Sequence, residues 1–260
     1  MPESVKLTFE AGGELTIDRL RPKWRAPVKK TSETPLPEGI AYHRLPSFED
    51  PKFENDAIEF VKAHASARLL IFDVRGNGGG STPSRLLRAL IDRPYRGWME
   101  TSAMSIGLFA VYGDLYRNLI PKDANPRTRG NLESFSDYFE RPYFVAPGPR
   151  HQPEDPIYKG PVYVLQDRFC GSACEDFVMP LKTSGRATLF GERTFGSSGQ
   201  PYMITFETGM MFRVSSKRMY LPDGSEFEGV GIKPDVEVVT PPESSGDLVL
   251  AAALAAFAKR

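Results

Sequence analysis

Ser172 stands where the sequence could present a nucleophile. It lies in the segment Phe169-Cys-Gly-Ser-Ala-Cys-Glu175, shortly after the apolar run Val162–Leu165 and at the start of a predicted helix over 172–183. A turn between a strand and a helix holds a hydroxyl clear of the sheet, and the amide groups of the helix N-terminus stabilise nearby negative charge. Serine is also a common helix cap. On this segment alone, Ser172 is either a nucleophile or an N-cap.

A glycine-rich loop is the second feature that could do chemistry. The loop Asp73-Val-Arg-Gly-Asn-Gly-Gly-Gly80 follows the apolar run Leu69–Phe72. Successive glycines let backbone N–H groups converge on a ligand, as in a phosphate cradle or an oxyanion hole. The glycine spacing does not fit a dinucleotide fingerprint, and no Lys-Ser/Thr pair follows the loop. The loop therefore favours an oxyanion hole, with Asp73 and Arg75 anchoring it as a structural ion pair.

The elements that must position these segments predict an α/β fold with a mixed sheet. Strands alternate with helices from residue 40 onward, as in parallel βαβ units. The predicted strands are 40–45, 69–72, 161–166, 187–191, 202–206, 211–215, 217–221 and 235–239, and the predicted helices are 53–67, 83–91, 172–183 and 246–258.

The rest of the chain predicts a hairpin, a linker and an insertion. Residues 5–19 alternate as a β-hairpin with Gly12-Gly13 at its turn. Residues 21–38 contain four prolines and predict a linker. Residues 39–260 then form the core domain, interrupted by an aromatic-rich insertion at 95–158. Trp98 and its neighbours are expected to pack on the core, with lining of a substrate cleft as the alternative.

Composition excludes several classes of protein. The formal net charge is zero, which argues against a nucleic-acid partner. The two cysteines, Cys170 and Cys174, lie four residues apart, and we interpret them as packing residues rather than a disulfide or a thiolate metal site. The sequence contains no run of 18 apolar residues that would span a membrane, and its first residues lack the pattern of a signal peptide.

Four motifs taken together resemble the tail-specific (C-terminal-processing) serine peptidases and their tricorn-core relatives. They are the glycine loop 73–80, the segment Gly171-Ser-Ala-Cys-Glu175, the segment Gly191-Glu-Arg-Thr-Phe-Gly196, and the closing segments Leu221-Pro-Asp-Gly224 and Phe227-Glu-Gly-Val-Gly-Ile-Lys-Pro-Asp235. The resemblance covers about residues 39–240.

The resemblance carries expectations about fold and location. It implies an α/β sandwich of the ClpP/crotonase-like type, with residues 1–20 as the remnant of a PDZ-like module. It further implies a peptide or protein substrate, no cofactor and no metal. If the native N-terminus is trimmed, it implies an exported or periplasmic protein. The oligomeric state stays open.

The resemblance also implies roles for individual residues. Ser172 would be the nucleophile, and the N–H groups of Gly79 and Ala173 would face the oxyanion. The lysine that serves as general base in bacterial members has no counterpart, because Gly196-Ser-Ser-Gly-Gln200 stands at its position. Either the site follows the tricorn-type arrangement, with a histidine base supported by a glutamate, or the site is inactive.

His43 is the candidate base, because it lies on the first core strand, where the tricorn relatives place theirs. Glu228 matches the supporting glutamate, and Ser197 or Gly80 could orient the base or bind substrate. His64 in a helix is interpreted as an ordinary surface or packing residue, and His151 in a polar segment as a solvated loop residue. The sequence thus predicts a serine peptidase that acts through an acyl-enzyme. An esterase or amidase using the same serine and an inactive peptide- or lipid-binding relative remain alternatives.

Overall fold

The computed structural model describes residues 4–8, 12–18, 35–103, 143–241, 244 and 246–259. At its centre lies a five-stranded parallel sheet, in which the strands Val236–Glu237 (β14), Ala187–Gly191 (β10), Val162–Gln166 (β9), Leu69–Asp73 (β4) and Ile40–Arg44 (β3) follow one another in space.

The two central strands are hydrophobic along most of their length because both of their faces are covered. Every residue of β4 and of β9 is buried, as is typical of the interior of a parallel sheet. One face packs against the helices α1 (Pro51–Ala63), α2 (Ser84–Leu90) and α3 (Ala173–Thr183), and the other against α4 (Leu248–Ala258). Alternate residues such as Phe72 and Ile71 therefore belong to two different cores.

The remaining strands form small antiparallel sheets. The strands β1 (Ser4–Thr8) and β2 (Glu14–Asp18) pair as the predicted N-terminal hairpin, and β11 (Pro201–Thr205) pairs with β12 (Met211–Ser215). The order β13-β6-β7 is formed by β6 (Met99–Ala103), β7 (Tyr143–Ala146) and β13 (Arg218–Tyr220), and β5 (Tyr95–Arg96) pairs with β8 (Arg150–His151).

The prediction of an α/β fold is confirmed, but the prediction of a mixed central sheet is wrong. The short strands after residue 200 pair with one another or with strands of the insertion, and none of them joins the central sheet. A short loop connects β11 to β12, so local hairpin pairing is available to them without any crossover. Most of the insertion, residues 104–142, lies outside the described residues.

This topology brings three loops to one edge of the sheet. The strand β9 lies between β4 and β10 and is parallel to both. The loops that follow these three strands therefore leave the sheet side by side at its carboxyl edge, where open α/β sheets bind their ligands. They are the glycine loop, the turn of Ser172 and the loop beginning at Glu192.

Candidate active site

Ser172 is exposed at the N-terminus of α3 in a strained conformation. It occupies the N-cap position with φ 53° and ψ −126°, a combination that side-chain-bearing residues rarely adopt. The turn is fixed from both sides, because the Ser172 N–H donates to Ser197 O at 2.8 Å and to Glu175 Oε2 at 3.2 Å. Such strain persists only where surrounding contacts impose it, and it is typical of functional positions.

The glycine loop packs directly against this turn. Gly79 has φ +104°, and a Cβ at this position would lie 2.7 Å from Ser172 Cβ and 3.0 Å from Ala173 N. Asn77 joins the two segments, since its backbone O accepts from Gly171 N at 3.1 Å and its side chain donates to Leu45 O. Only glycine fits at residue 79.

Of the two N–H groups expected to form the oxyanion hole, those of Ala173 and Gly79, the structure leaves one without a hydrogen-bond partner among the described residues. Ala173 N is the first helical amide of α3 and has no hydrogen-bond partner among the described residues, as expected of a helix N-terminus. The Gly79 N–H, in contrast, donates to Asn77 Oδ1 at 2.9 Å. In this structure the Asn77 side chain therefore occupies the Gly79 N–H, and the prediction that this amide faces the oxyanion stays a prediction. The neighbouring Gly80 is exposed, and its N–H has no partner in the described part of the chain.

Glu175 is a residue whose part the sequence interpretation missed. Its buried carboxylate accepts four hydrogen bonds, from Thr194 Oγ1 at 2.5 Å, Gly196 N at 2.7 Å, Ser197 N at 2.9 Å and Ser172 N at 3.2 Å. Burial raises the pKa of Glu175 to about 7, although these hydrogen bonds favour the charged form. Glu175 thus joins the Ser172 turn to the loop after β10. The spacing Ser-x-x-Glu, typical of a capping box, is the signal that could have identified it.

The closing motif meets the same loop. The Ile232 N–H donates to Thr194 Oγ1 at 2.7 Å, so the hydroxyl that donates to Glu175 is itself held by the segment Gly231–Asp235. A Cβ on Gly231 would lie 2.1 Å from Thr194 O. Three of the motifs singled out in the sequence therefore meet around one carboxylate.

A cavity of about 660 Å³ extends from Ser172 along α3. Asp176, one turn after Ser172, accepts hydrogen bonds from Trp98 Nε1 at 2.8 Å, Thr82 Oγ1 at 2.6 Å and Ser198 Oγ at 3.0 Å. Trp98 also packs on Phe227, with ring centroids 4.3 Å apart. It therefore packs on the core, as expected, and also lines the cavity.

The structure does not bring His43 to this cavity. Its ring stacks on Phe60 of α1, with centroids 4.8 Å apart, and meets the edge of Phe72. Burial lowers the pKa of His43, against the charge of Asp56. The cause is the pleat of β3, since Ala41, His43 and Leu45 share the face that α1 covers. His43 therefore makes no contact with Ser172 in this structure, and the prediction that His43 is the general base has no support from such a contact.

The other two histidines differ from each other. His64 is exposed and contacts Phe60 of α1, with ring centroids 4.5 Å apart, which agrees with its interpretation as an ordinary surface or packing residue. His151 lines the cavity of Ser172, with its ring stacked on Tyr95 at 4.6 Å.

Glu228 lies beneath the loop that follows Ser197. Burial raises the pKa of Glu228, although the nearby backbone N–H groups of Ser198 and Met219 favour its charged form. Its Oε1 atom is buried without a hydrogen-bond partner among the described residues. Ser197 itself is exposed beside Ser172. The structure thus groups Ser172, Ala173, Gly79, Gly80, Ser197 and Glu228 in one region and leaves His43 outside it.

The anchoring predictions are confirmed. Arg75 pairs with Asp73 at 2.6 Å, and it also binds Asp247, the N-cap of α4, at 2.6 Å. These hydrogen bonds lower the pKa of Asp247, although burial works in the opposite direction.

Cys170 and Cys174 are buried free thiols. The described residues contain no cluster of side chains suited to a metal ion and no helix long and apolar enough to cross a membrane.

An α/β fold with a serine at a strained strand-to-helix turn beside a glycine loop defines a serine-hydrolase type of site. A sequence model of one family, described as peptidase family S41, matches residues 39–238. The chain belongs to peptidase family S41.

Two similar proteins of known name extend this comparison. A protein of Staphylococcus aureus strain COL, named as a CtpA-like serine protease, is 31% identical over 88 residues, which are 34% of this chain and 18% of that protein. The chloroplastic C-terminal processing peptidase of Tetradesmus obliquus is 27% identical over 171 residues, 65% of this chain and 28% of the relative. The matched regions are less than a third of these relatives.

Solved structures share the fold. Mature CPAF complexed with lactacystin matches with a TM-score of 0.61 at 16% identity, over 98% of this chain and 66% of that one. The photosystem II D1 C-terminal processing protease matches with a TM-score of 0.51 at 23% identity, over 82% and 46% of the two chains.

Proposed function

We propose that this chain carries a serine peptidase site that hydrolyses peptide bonds through an acyl-enzyme on Ser172. The observation that carries the proposal is the exposed, strained Ser172 at the N-terminus of α3, held by Glu175 and packed on Gly79. Membership of family S41 supports a peptide as substrate.

Each residue has a role in this proposal. Ser172 Oγ attacks the substrate carbonyl, and Ala173 N–H binds the tetrahedral oxyanion with the N–H of Gly80 as the second donor. A pair of amide donors in such a site is worth several kcal/mol, about 3 for each donor removed in mutagenesis of other enzymes. The amide of Gly79 serves instead to hold Asn77.

The general base is the open part of this mechanism. A serine hydroxyl needs a group that removes its proton near neutral pH. Our prediction for the base remains His43 with Glu228 as its support. The partnerless Oε1 atom of Glu228 favours the glutamate half of that assignment, whereas the stacking of His43 on Phe60 does not favour the histidine half.

Covalent labelling with a fluorophosphonate tests the nucleophile. We expect the parent protein to be labelled, Ser172→Ala to be inert, and the matched control Ser184→Ala, at the other end of α3, to behave as the parent. Mass spectrometry of a tryptic digest then places the adduct. No labelling of folded parent protein between pH 6 and 9 refutes the proposal and leaves an inactive relative. Hydrolysis of p-nitrophenyl esters without any peptide cleavage makes the protein an esterase.

The same labelling assay tests the base. If His43→Ala keeps its fold by circular dichroism and is labelled at the parent rate, His43 is not the base.

A further inference from the structure

A second cavity adjoins the cavity of Ser172 and is lined by three cations, two of which have no ion-pair partner among the described residues. Its volume is about 810 Å³, and it is lined by Pro94, Tyr95, Arg96, Arg150, Gln152, Lys182, Thr183, Leu221, Pro222, Asp223 and Ile232. Tyr95 and Gln152 line both cavities. The two cavities therefore meet at these two residues.

Two arginines of this cavity are directly opposite each other. Arg96 on β5 pairs with Arg150 on β8 in the antiparallel register. Residues paired in this way have Cβ atoms roughly 5 Å apart on the same side of the ribbon, and like charges there repel each other. Both side chains are exposed.

Among the residues that the structure describes, neither arginine has a partner that relieves this repulsion. In the part of the chain that the structure describes, neither guanidinium forms a hydrogen bond or an ion pair. The third cation, Lys182, is paired with Asp235 at 2.7 Å. Asp223, the carboxylate of the lining, accepts instead from the N–H and hydroxyl of Ser225, which lower its pKa. Within the described part of the chain, the donors of both guanidinium groups are therefore unused and available to an anion.

The distance from Ser172 sets the length of the ligand. Ser172 caps the first turn of α3, and the last two residues of this helix, Lys182 and Thr183, line the second cavity. The 11 residues of α3 span roughly 16 Å. An extended peptide covers this distance with about five residues.

We propose that Arg96 and Arg150 form a subsite for a carboxylate of the peptide substrate, about five residues from the scissile bond. Guanidinium groups bind carboxylates with paired hydrogen bonds, which makes this anion the natural ligand in a peptidase. The carboxylate is either the substrate's C-terminus or an acidic side chain. This inference rests on the proposed function for its substrate, but its test does not require catalysis.

Peptide binding to the Ser172→Ala protein tests the subsite. Three fluorescein-labelled decapeptides of one apolar sequence are compared by anisotropy: one with a free C-terminus, one amidated, and one amidated with glutamate as the penultimate residue. We expect the free acid to bind about three- to tenfold more tightly than the plain amide, since exposed ion pairs are individually weak. Tight binding of the glutamate peptide as well assigns the subsite to side-chain carboxylates too, whereas its weak binding assigns the subsite to the C-terminus.

Matched variants decide whether the arginines are responsible. In the Arg96→Gln/Arg150→Gln double variant the preference for a carboxylate should disappear, while Arg93→Gln, which neutralises an arginine already paired with Asp92, should keep it. Equal binding of all three peptides, or a preference that survives in the double variant, overturns the proposal. Failure of fluorophosphonate labelling in the parent refutes the serine peptidase instead, because binding is measured without Ser172.

Discussion

Replacing Gly79 by alanine should destabilise the protein and disable Ser172 together. The new Cβ would lie 2.7 Å from Ser172 Cβ and 2.8 Å from Gly171 O, both within contact distance of a fixed turn. Its φ of +104° adds strain for any side-chain-bearing residue. About 1–3 kcal/mol for the strain and about 1–3 kcal/mol for overpacking give a loss of about 2–6 kcal/mol in the free energy of unfolding.

The adjacent Gly78 provides the matched control. It is exposed, and a Cβ there would meet nothing within 4 Å, with no positive φ. Gly78→Ala should therefore change the free energy of unfolding by less than about 1 kcal/mol. Urea unfolding followed by circular dichroism measures both variants, and fluorophosphonate labelling of the folded fraction measures the site. A Gly79→Ala protein within 0.5 kcal/mol of Gly78→Ala, or labelled at the parent rate, would refute the packing argument, since ~0.5 kcal/mol is the usual scatter of neutral surface changes.

Two further predictions concern the same turn. Ser172→Gly should raise the free energy of unfolding by about 1 kcal/mol, because glycine adopts φ 53° freely. The same substitution removes the hydroxyl and should abolish labelling. The control Ser184→Gly, at an ordinary helical φ, should not be stabilised. Glu175 has a pKa of about 7 in the folded protein, above its ordinary 4.5. The folded state therefore binds this proton more tightly than the unfolded state, and the contribution of Glu175 to stability falls as the pH rises from 4.5 to 7, by about 3 kcal/mol. Glu175→Gln does not titrate, so the difference in free energy of unfolding between parent and variant should shrink over this range. Urea titrations at the two pH values measure this difference. An unchanged difference contradicts the raised pKa of Glu175.

Much of the fold could be predicted because its signals are local. The strands β4 and β9 appear as unbroken apolar runs because both of their faces are buried, and the N-terminal hairpin follows from alternation around Gly12-Gly13. The pairing of the short late strands could not be read in this way. Strand β13 pairs with β6, more than a hundred residues earlier, and no local pattern records such a partner.

The residues of the site likewise divide into those whose placement follows from local sequence and those whose placement depends on distant contacts. Ser172 and Ala173 stand at a turn that the sequence itself marks, so their placement was predictable. The direction of the Gly79 amide depends on the Asn77 side chain, and the face of His43 depends on α1 covering the edge strand. Similarly, the hydrogen bond of Trp98 to Asp176 joins residues 78 positions apart. These features are set by tertiary contacts rather than by residue type.

The ion pair of Arg75 with Asp247 has a consequence for the order in which the chain acquires its site. The two residues are 172 positions apart, and Asp247 begins the last described helix. During synthesis, before residue 247 has been added to the chain, Arg75 can pair with the carboxylate of Asp73 but not yet with that of Asp247. The glycine loop is therefore fully anchored only when α4 docks. This loop packs against the strained turn of Ser172. The loop beside the nucleophile is thus locked in place only after the ribosome has passed residue 247.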